Sequence, residues 1–162
     1  GFRASSATLM VQNLWAGQLE RARNSLYVTM LVAMIWAGTW ATIYWTVPDF
    51  LLSLFKQTDG EVYHLGAQLL RYLAVSAFFV SAALSITGGL QGAGDTKTPM
   101  YIAFLSQIVV LLGICFVFQQ MGALTPTSIW SAVLISHFTR FVATAVVFQR
   151  GRWTNINVEL HA

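Results

Sequence analysis

The sequence predicts an all-α integral membrane protein, a multi-pass bundle of helices. Three observations predict it. Of the 162 residues, 56% are hydrophobic and only 9% are charged, against roughly 25% charged in soluble domains. The mean hydropathy is +0.62. Four stretches with one charge or none also reach the ~20 residues that a helix needs to cross the hydrocarbon core.

The same figures exclude other classes. A soluble fold of this size has more surface than so few charges can cover, which removes an ordinary soluble enzyme, a disordered segment and a disulfide scaffold. The net charge of +3 comes from scattered cations that form no basic stripe, so nucleic acid is not an expected partner. The single cysteine, Cys115, lies in an apolar run and cannot form an internal disulfide.

The chain opens at Gly1, inside an apolar run without a charged leader, which reads as a fragment whose first part is absent and not as a signal peptide. Residues 1–17 are expected to hold a truncated helix, since Ala4 to Ala16 is apolar but too short to span. The first full span is Tyr27 to Val47, 21 residues without a charge. Pro48 ends it, and Phe50 to Phe55 reads as a short interfacial segment. Thr58-Asp-Gly-Glu61 has the spacing of a capping box, so a helix should start near Asp59 and cross the membrane over Tyr72 to Leu90. Its first turns, with His64, Gln68 and Arg71, then stand at the membrane surface. Thr98-Pro99 reads as an N-cap followed by proline at the first helical position, opening a span from Pro99 to Phe118. Thr125-Pro126 repeats that signal before the last span, Ile129 to Gln149, which contains His137 and Arg140. Residues 150–162 form a tail.

Cations set the expected orientation. Gln18 to Leu26, Gln91 to Thr98 and the tail lie on one side, because pairs of spans separate them, and they hold Arg21, Arg23, Lys97, Arg150 and Arg152. The other side holds Lys56, with Arg71 at its edge. The first side, with the C-terminus, is therefore expected to be cytoplasmic. Trp15, Tyr27, Tyr101 and Trp153 fall near that face and Trp45 and Trp130 near the opposite one, as aromatic belts do.

Two segments of the basic side carry a family resemblance. Leu9-Met-Val-Gln-Asn-Leu-Trp-Ala-Gly-Gln-Leu-Glu-Arg-Ala22 resembles the "LVGQNLGAG…ERA" segment of bacterial MATE (multidrug and toxic compound extrusion) transporters. Gly88-Gly-Leu-Gln-Gly-Ala-Gly-Asp-Thr-Lys-Thr-Pro-Met100 resembles that family's "G-x-G-D-T-x-x-P" loop. Ile129-Trp130 and Gly151-Arg-Trp153 resemble the end of its second lobe, whereas Val11 and Trp15 stand where the family usually has glycine. The resemblance implies a partial six-helix lobe of a twelve-helix, two-lobe transporter, placed in the bacterial inner (plasma) membrane. It also implies export of small organic, cationic or amphipathic compounds in exchange for Na⁺ or H⁺, across a cavity shared with a missing N-terminal lobe.

His137 and Arg140 are the most informative residues inside the spans. At 1.5 Å per residue they lie roughly 12 and 16 Å from the start of the last span. An arginine at mid-bilayer costs about 2.5–3.5 kcal/mol on insertion scales, so it must face protein or water. Their spacing of three puts both on one face, with Thr144 one turn beyond Arg140. They either line a transport cavity, where His137 binds or relays a proton, or fix helix packing.

The acids are informative in another way. Glu20, Asp49, Asp59, Glu61, Asp95 and Glu159 all fall outside the predicted spans. Ion coupling in a transporter usually relies on an intramembrane carboxylate, so the coupling site is expected in the missing lobe. No resident cofactor and no metal-ligand spacing is expected in this chain, and no nucleophile triad appears.

The remaining candidates are weaker. Gly92, Gly94 and Asp95 shape a turn at the basic side, structural or part of a gate. The loop lacks the Gly-Lys-Ser/Thr succession of a phosphate-binding loop. Trp36, Trp40 and Tyr44 recur every four residues, either a lipid-facing stripe or rings for an organic cation. Ala33, Ala37 and Ala41 form a small face suited to close helix contact, as do Ser81, Ser85 and Gly89. Gln107 either lines a cavity or bonds a neighbouring helix, and Tyr72 and Ser76 are candidates for a cavity wall. A secondary-active exporter is the leading expectation. A flippase for lipid-linked saccharides and a non-transporting membrane scaffold are the alternatives, and no convergent acid, His or Ser set suggests an enzyme.

Overall fold

The computed structural model describes residues 1–54 and 60–155. Thr58 and Asp59 of the expected capping box lie outside them, as do Phe55, Lys56, Glu159 and His161. Every regular element among the described residues is helical. In chain order these are α1 (Phe2–Trp15), α2 (Leu19–Thr46), the short α3 (Pro48–Ser53) and α4 (Gly60–Gly92). Then come α5 (Lys97–Phe104), a π-helical turn (Leu105–Val110), α6 (Leu111–Gln120), α7 (Pro126–Gln149) and a 3₁₀ turn (Arg152–Asn155). α5, the π-turn and α6 form one continuous run. With α2, α4 and α7 it makes four helices long and apolar enough to cross a membrane. The protein is an all-α, multi-pass membrane bundle.

α4 is the hub, packed against α1, α2 and α7. Its buried positions are mostly small: Ala82, Ala83, Ser85, Thr87, Gly88 and Gly89. Hydrocarbon is as apolar as a leucine side chain, so helices in a membrane associate through close van der Waals packing, and small residues let backbones approach. Gly88 and Gly92 show this directly. A Cβ on Gly88 would lie 2.2 Å from the Arg3 carbonyl oxygen, and one on Gly92 2.4 Å from that of Ala7. The two glycines are one turn apart and seat the backbone of α1. Gly92 is therefore the last helical residue and a packing contact, not part of the turn that follows. On α2, Ala33 and Ala37 are buried as their spacing suggests, and Gly89 meets Leu26.

The basic end of the bundle holds a buried apolar cluster that includes Met10, Leu26, Ile86, Leu90, Phe148 and Trp153. The Trp153 ring stacks on Phe148 at 5.0 Å and 3°. Its indole N–H donates to the Phe148 carbonyl at 2.9 Å, folding the chain after α7 back onto the bundle. At the other end, Tyr63 donates a hydrogen bond to the Asp49 carboxylate, tying α3 to the start of α4.

Of the two expected Thr-Pro helix starts, one differs in detail. α7 opens as predicted: Thr125 Oγ1 accepts from the Ser128 N–H at 3.2 Å, and Ser128 Oγ accepts from the Thr125 N–H at 2.7 Å. α5 starts earlier, at Lys97, and Thr98 is not its cap. Asp95 does that work, its Oδ1 accepting the Thr98 N–H at 3.0 Å. A carboxylate suits a helix N-terminus better than a hydroxyl, because it also meets the positive end of the dipole.

The outer faces of α2 and α6 expose large apolar side chains, among them Val28, Leu31, Ile35, Leu112 and Phe116. For helices whose solvent is hydrocarbon this is the expected surface. Val11 and Trp15 are also exposed, Trp15 by 69%, so neither forces α1 away from a neighbour.

Candidate functional site

The polar groups converge where the π-turn meets α7. A π-turn inserts one extra residue into the helix and shifts the register of the side chains around it, a device common at functional sites. Ser106, inside this turn, is 2% exposed and donates its hydroxyl to the Ile102 carbonyl at 2.7 Å. Gln107 points across the seam to α7. Its amide nitrogen donates to the Ser136 hydroxyl at 3.1 Å and lies 3.3 Å from His137 Nδ1. With the amide donating to Nδ1, the proton of the neutral ring sits on Nε2. Ser136 is fully buried and its hydroxyl donates a hydrogen bond to the Val133 carbonyl at 3.1 Å. Three polar side chains from two helices are thus joined inside an apolar bundle.

Arg140 follows His137 by three residues on the same helix, and its Nε is buried with no hydrogen-bond partner among the described residues. Below it, Thr144 is buried and donates to the Arg140 and Phe141 carbonyls, both at 2.9 Å. Arg3 of α1 donates to Gln91 Oε1 at 3.0 Å. The described acids lie at helix ends and turns: Glu20 in the first turn of α2, Asp49 in that of α3, Glu61 in that of α4, and Asp95 in the α4–α5 turn.

The other candidates are dispersed. Tyr72 sits at the α4–α7 seam, where its hydroxyl accepts from Ser131 at 3.3 Å and its ring lies 6.0 Å from Trp130. Ser76, one turn on, is 4% exposed. Trp36 is 56% exposed on α2, its ring edge-on to Trp40 at 6.3 Å, and does not join the Gln107 cluster. Gly94 has φ +93° and ends α4 in a Schellman arrangement, with the Asp95 N–H reaching the Leu90 carbonyl at 2.9 Å and the Gly94 N–H reaching Gln91 at 3.0 Å. Asp95 then caps α5. The sequence reading missed Ser136, Arg3 and the π-turn. Ser136 was visible only as a neighbour of His137, and Arg3 as a cation in an apolar run. No local signal marks the π-turn.

Residues 1–118 match the MatE family profile. The chain belongs to the MatE family. The match covers α1 to α6 up to Phe118, including the Gln107 π-turn, and ends before α7. Individual MatE-like relatives extend further. Multidrug and toxin extrusion protein 1 of Homo sapiens is 27% identical over 135 residues, 83% of this chain and 24% of its own length. The rat protein of the same name (Rattus norvegicus) is 24% identical over 153 residues, 94% of this chain and 27% of its own. The probable multidrug resistance protein NorM of Thermotoga maritima is 25% identical over 149 residues, 89% of this chain and 32% of its own. The chain thus spans about a quarter to a third of the length of these relatives. No solved structure matches it.

Proposed function

We propose that this MatE chain is a section of a secondary-active multidrug exporter, from its C-terminal lobe. It would move organic cations or amphipathic compounds outward in exchange for Na⁺ or H⁺. The observation that carries the reading is the cluster of Gln107, Ser136, His137 and Arg140 inside the apolar helices of a MatE bundle. Intramembrane ionisable groups are costly and are retained where they serve a pathway. The names of the relatives, all multidrug proteins, support the same reading.

In this proposal the cluster faces a cavity completed by a second lobe, as alternating-access transporters bind at the interface of their repeats. Gln107 holds His137 in a defined orientation, leaving Nε2–H as the group that meets a solute. Arg140, whose Nε has no partner here, would meet an acidic group of the opposite lobe. The coupling carboxylate would lie outside this chain. The basic end, with the C-terminus, would face the cytoplasm of a bacterial inner membrane.

A second reading rests on one observation: the Nε of Arg140 is buried without a partner among the described residues, and a guanidinium open to a cavity suits a pyrophosphate-bearing lipid-linked saccharide. Efflux of a fluorescent organic cation from vesicles holding the full-length protein separates the two. Export driven by an imposed Na⁺ or H⁺ gradient, and lost on His137→Ala, is expected. Gradient-independent movement of a lipid-linked pyrophosphate, with no cation export, overturns it.

A further inference from the structure

The seam between α2 and α7 at the basic end contains a two-part cavity that the transport reading does not use. Its outer chamber, about 370 Å³, lies in the size range of small-molecule pockets. Glu20, Arg23 and Gln149 line it, with Tyr27, Phe148 and Trp153 as its aromatic walls. Deeper along the same seam is a cleft of about 120 Å³ lined by Leu26, Met30, Ile86, Phe141 and Ala145. The two share Tyr27, Phe148 and Gln149.

Polarity falls in the same order on both helices. Along α2 it runs from Glu20 and Arg23 through Tyr27 to Met30, and along α7 from Gln149 through Phe148 to Ala145 and Phe141. Glu20 and Arg23 are three residues apart and so share a helix face. The Arg23 guanidinium lies over the Tyr27 ring, 6.0 Å from its centroid, and Glu20 lines the same chamber.

We propose that this cavity is a binding site for one phospholipid with an amine headgroup, drawn from the leaflet that the basic end meets. The phosphodiester is held by Arg23, whose planar fork suits phosphate oxygens. The primary ammonium, with three N–H donors, is held by the Glu20 carboxylate. One acyl chain enters the cleft beside Met30 and Ala145. Charges of both signs at the mouth and hydrocarbon walls below match such an amphiphile. They match neither a free anion, which has no use for the cleft, nor an apolar solute, which has no use for the mouth.

The test uses the full-length protein in nanodiscs containing a phosphatidylethanolamine with a photoactivatable acyl chain, and maps the label by peptide mass spectrometry. Label is expected at Met30, Phe141 and Ala145. Arg23→Ala should reduce it roughly tenfold, the scale of one charge-assisted hydrogen bond. Ala145→Trp, which fills the cleft, should abolish it. Labelling of the exposed α6 face should stay constant in both variants, which reports that they fold. Phosphatidylcholine, lacking N–H donors, should compete less well than phosphatidylethanolamine, and Glu20→Gln should erase that preference. Seam label unchanged by both Arg23→Ala and Ala145→Trp overturns the proposal. So does equal competition by the two lipids in the unmodified protein, or full displacement by glycerophosphoethanolamine, which has no chain. Seam label that rises when residues 156–162 are deleted marks the tail as occupant and overturns it too.

Discussion

The Gln107 amide nitrogen lies 3.1 Å from the Ser136 hydroxyl, bridging the π-turn and α7. The same nitrogen approaches His137 at 3.3 Å, so one side chain both joins two helices and orients an intramembrane imidazole.

Gln107→Leu should therefore separate stability from transport. Interhelical hydrogen bonds in membranes are worth about 0.6 kcal/mol on average, so a thermal-melt assay should register a small loss. Efflux of a cationic dye should fall severalfold, because His137 loses the partner that fixes its ring. A large drop in melting temperature with normal efflux per folded molecule would assign Gln107 to packing alone.

Arg140→Met keeps the volume of the side chain while removing its charge. The Arg140 Nε is buried without a partner among the described residues, and an unsatisfied buried polar group costs about 1–3 kcal/mol, which the apolar side chain removes. The variant should insert and melt at or above the wild-type temperature while export declines. A marked loss of stability would show that Arg140 is already paired within the lobe.

Gly88→Ala and Gly92→Ala should each loosen α1 from α4, since the added carbons would meet the Arg3 and Ala7 carbonyl oxygens at 2.2 and 2.4 Å. Overpacking of this kind costs typically about 1–3 kcal/mol. Gly113→Ala is the control: its Cβ would meet nothing within 4 Å, and alanine favours the helix by up to about 1 kcal/mol. Detergent-solubilised melting temperatures of the three variants check the ordering.

Neutralising the acids one at a time, to Asn or Gln, should leave ion-coupled efflux largely intact. Those described sit at helix ends and turns. Loss of gradient dependence on changing any one of them, in protein that reaches the membrane, would place the coupling site in this chain.

The division between what was legible and what was not follows from physics. Hydropathy depends only on composition, and the bilayer sets a fixed length for an apolar helix. The spans, the Thr125 cap and the outlying positions of the acids could therefore be read along the chain. So could the small faces of α2 and α4, which need only helical periodicity. The π-turn could not. It spans Leu105–Val110 where the helix packs on α7, and no residue in that stretch signals it alone. The same holds for Gly92, whose sequence context suggests a turn while its contact with α1 decides its role. The low fraction of charge made this a membrane protein before any residue was placed. Which buried polar groups meet, with Gln107 reaching Ser136 and His137 while Arg140 is left open, depended on distances between helices, and only packing in three dimensions sets those.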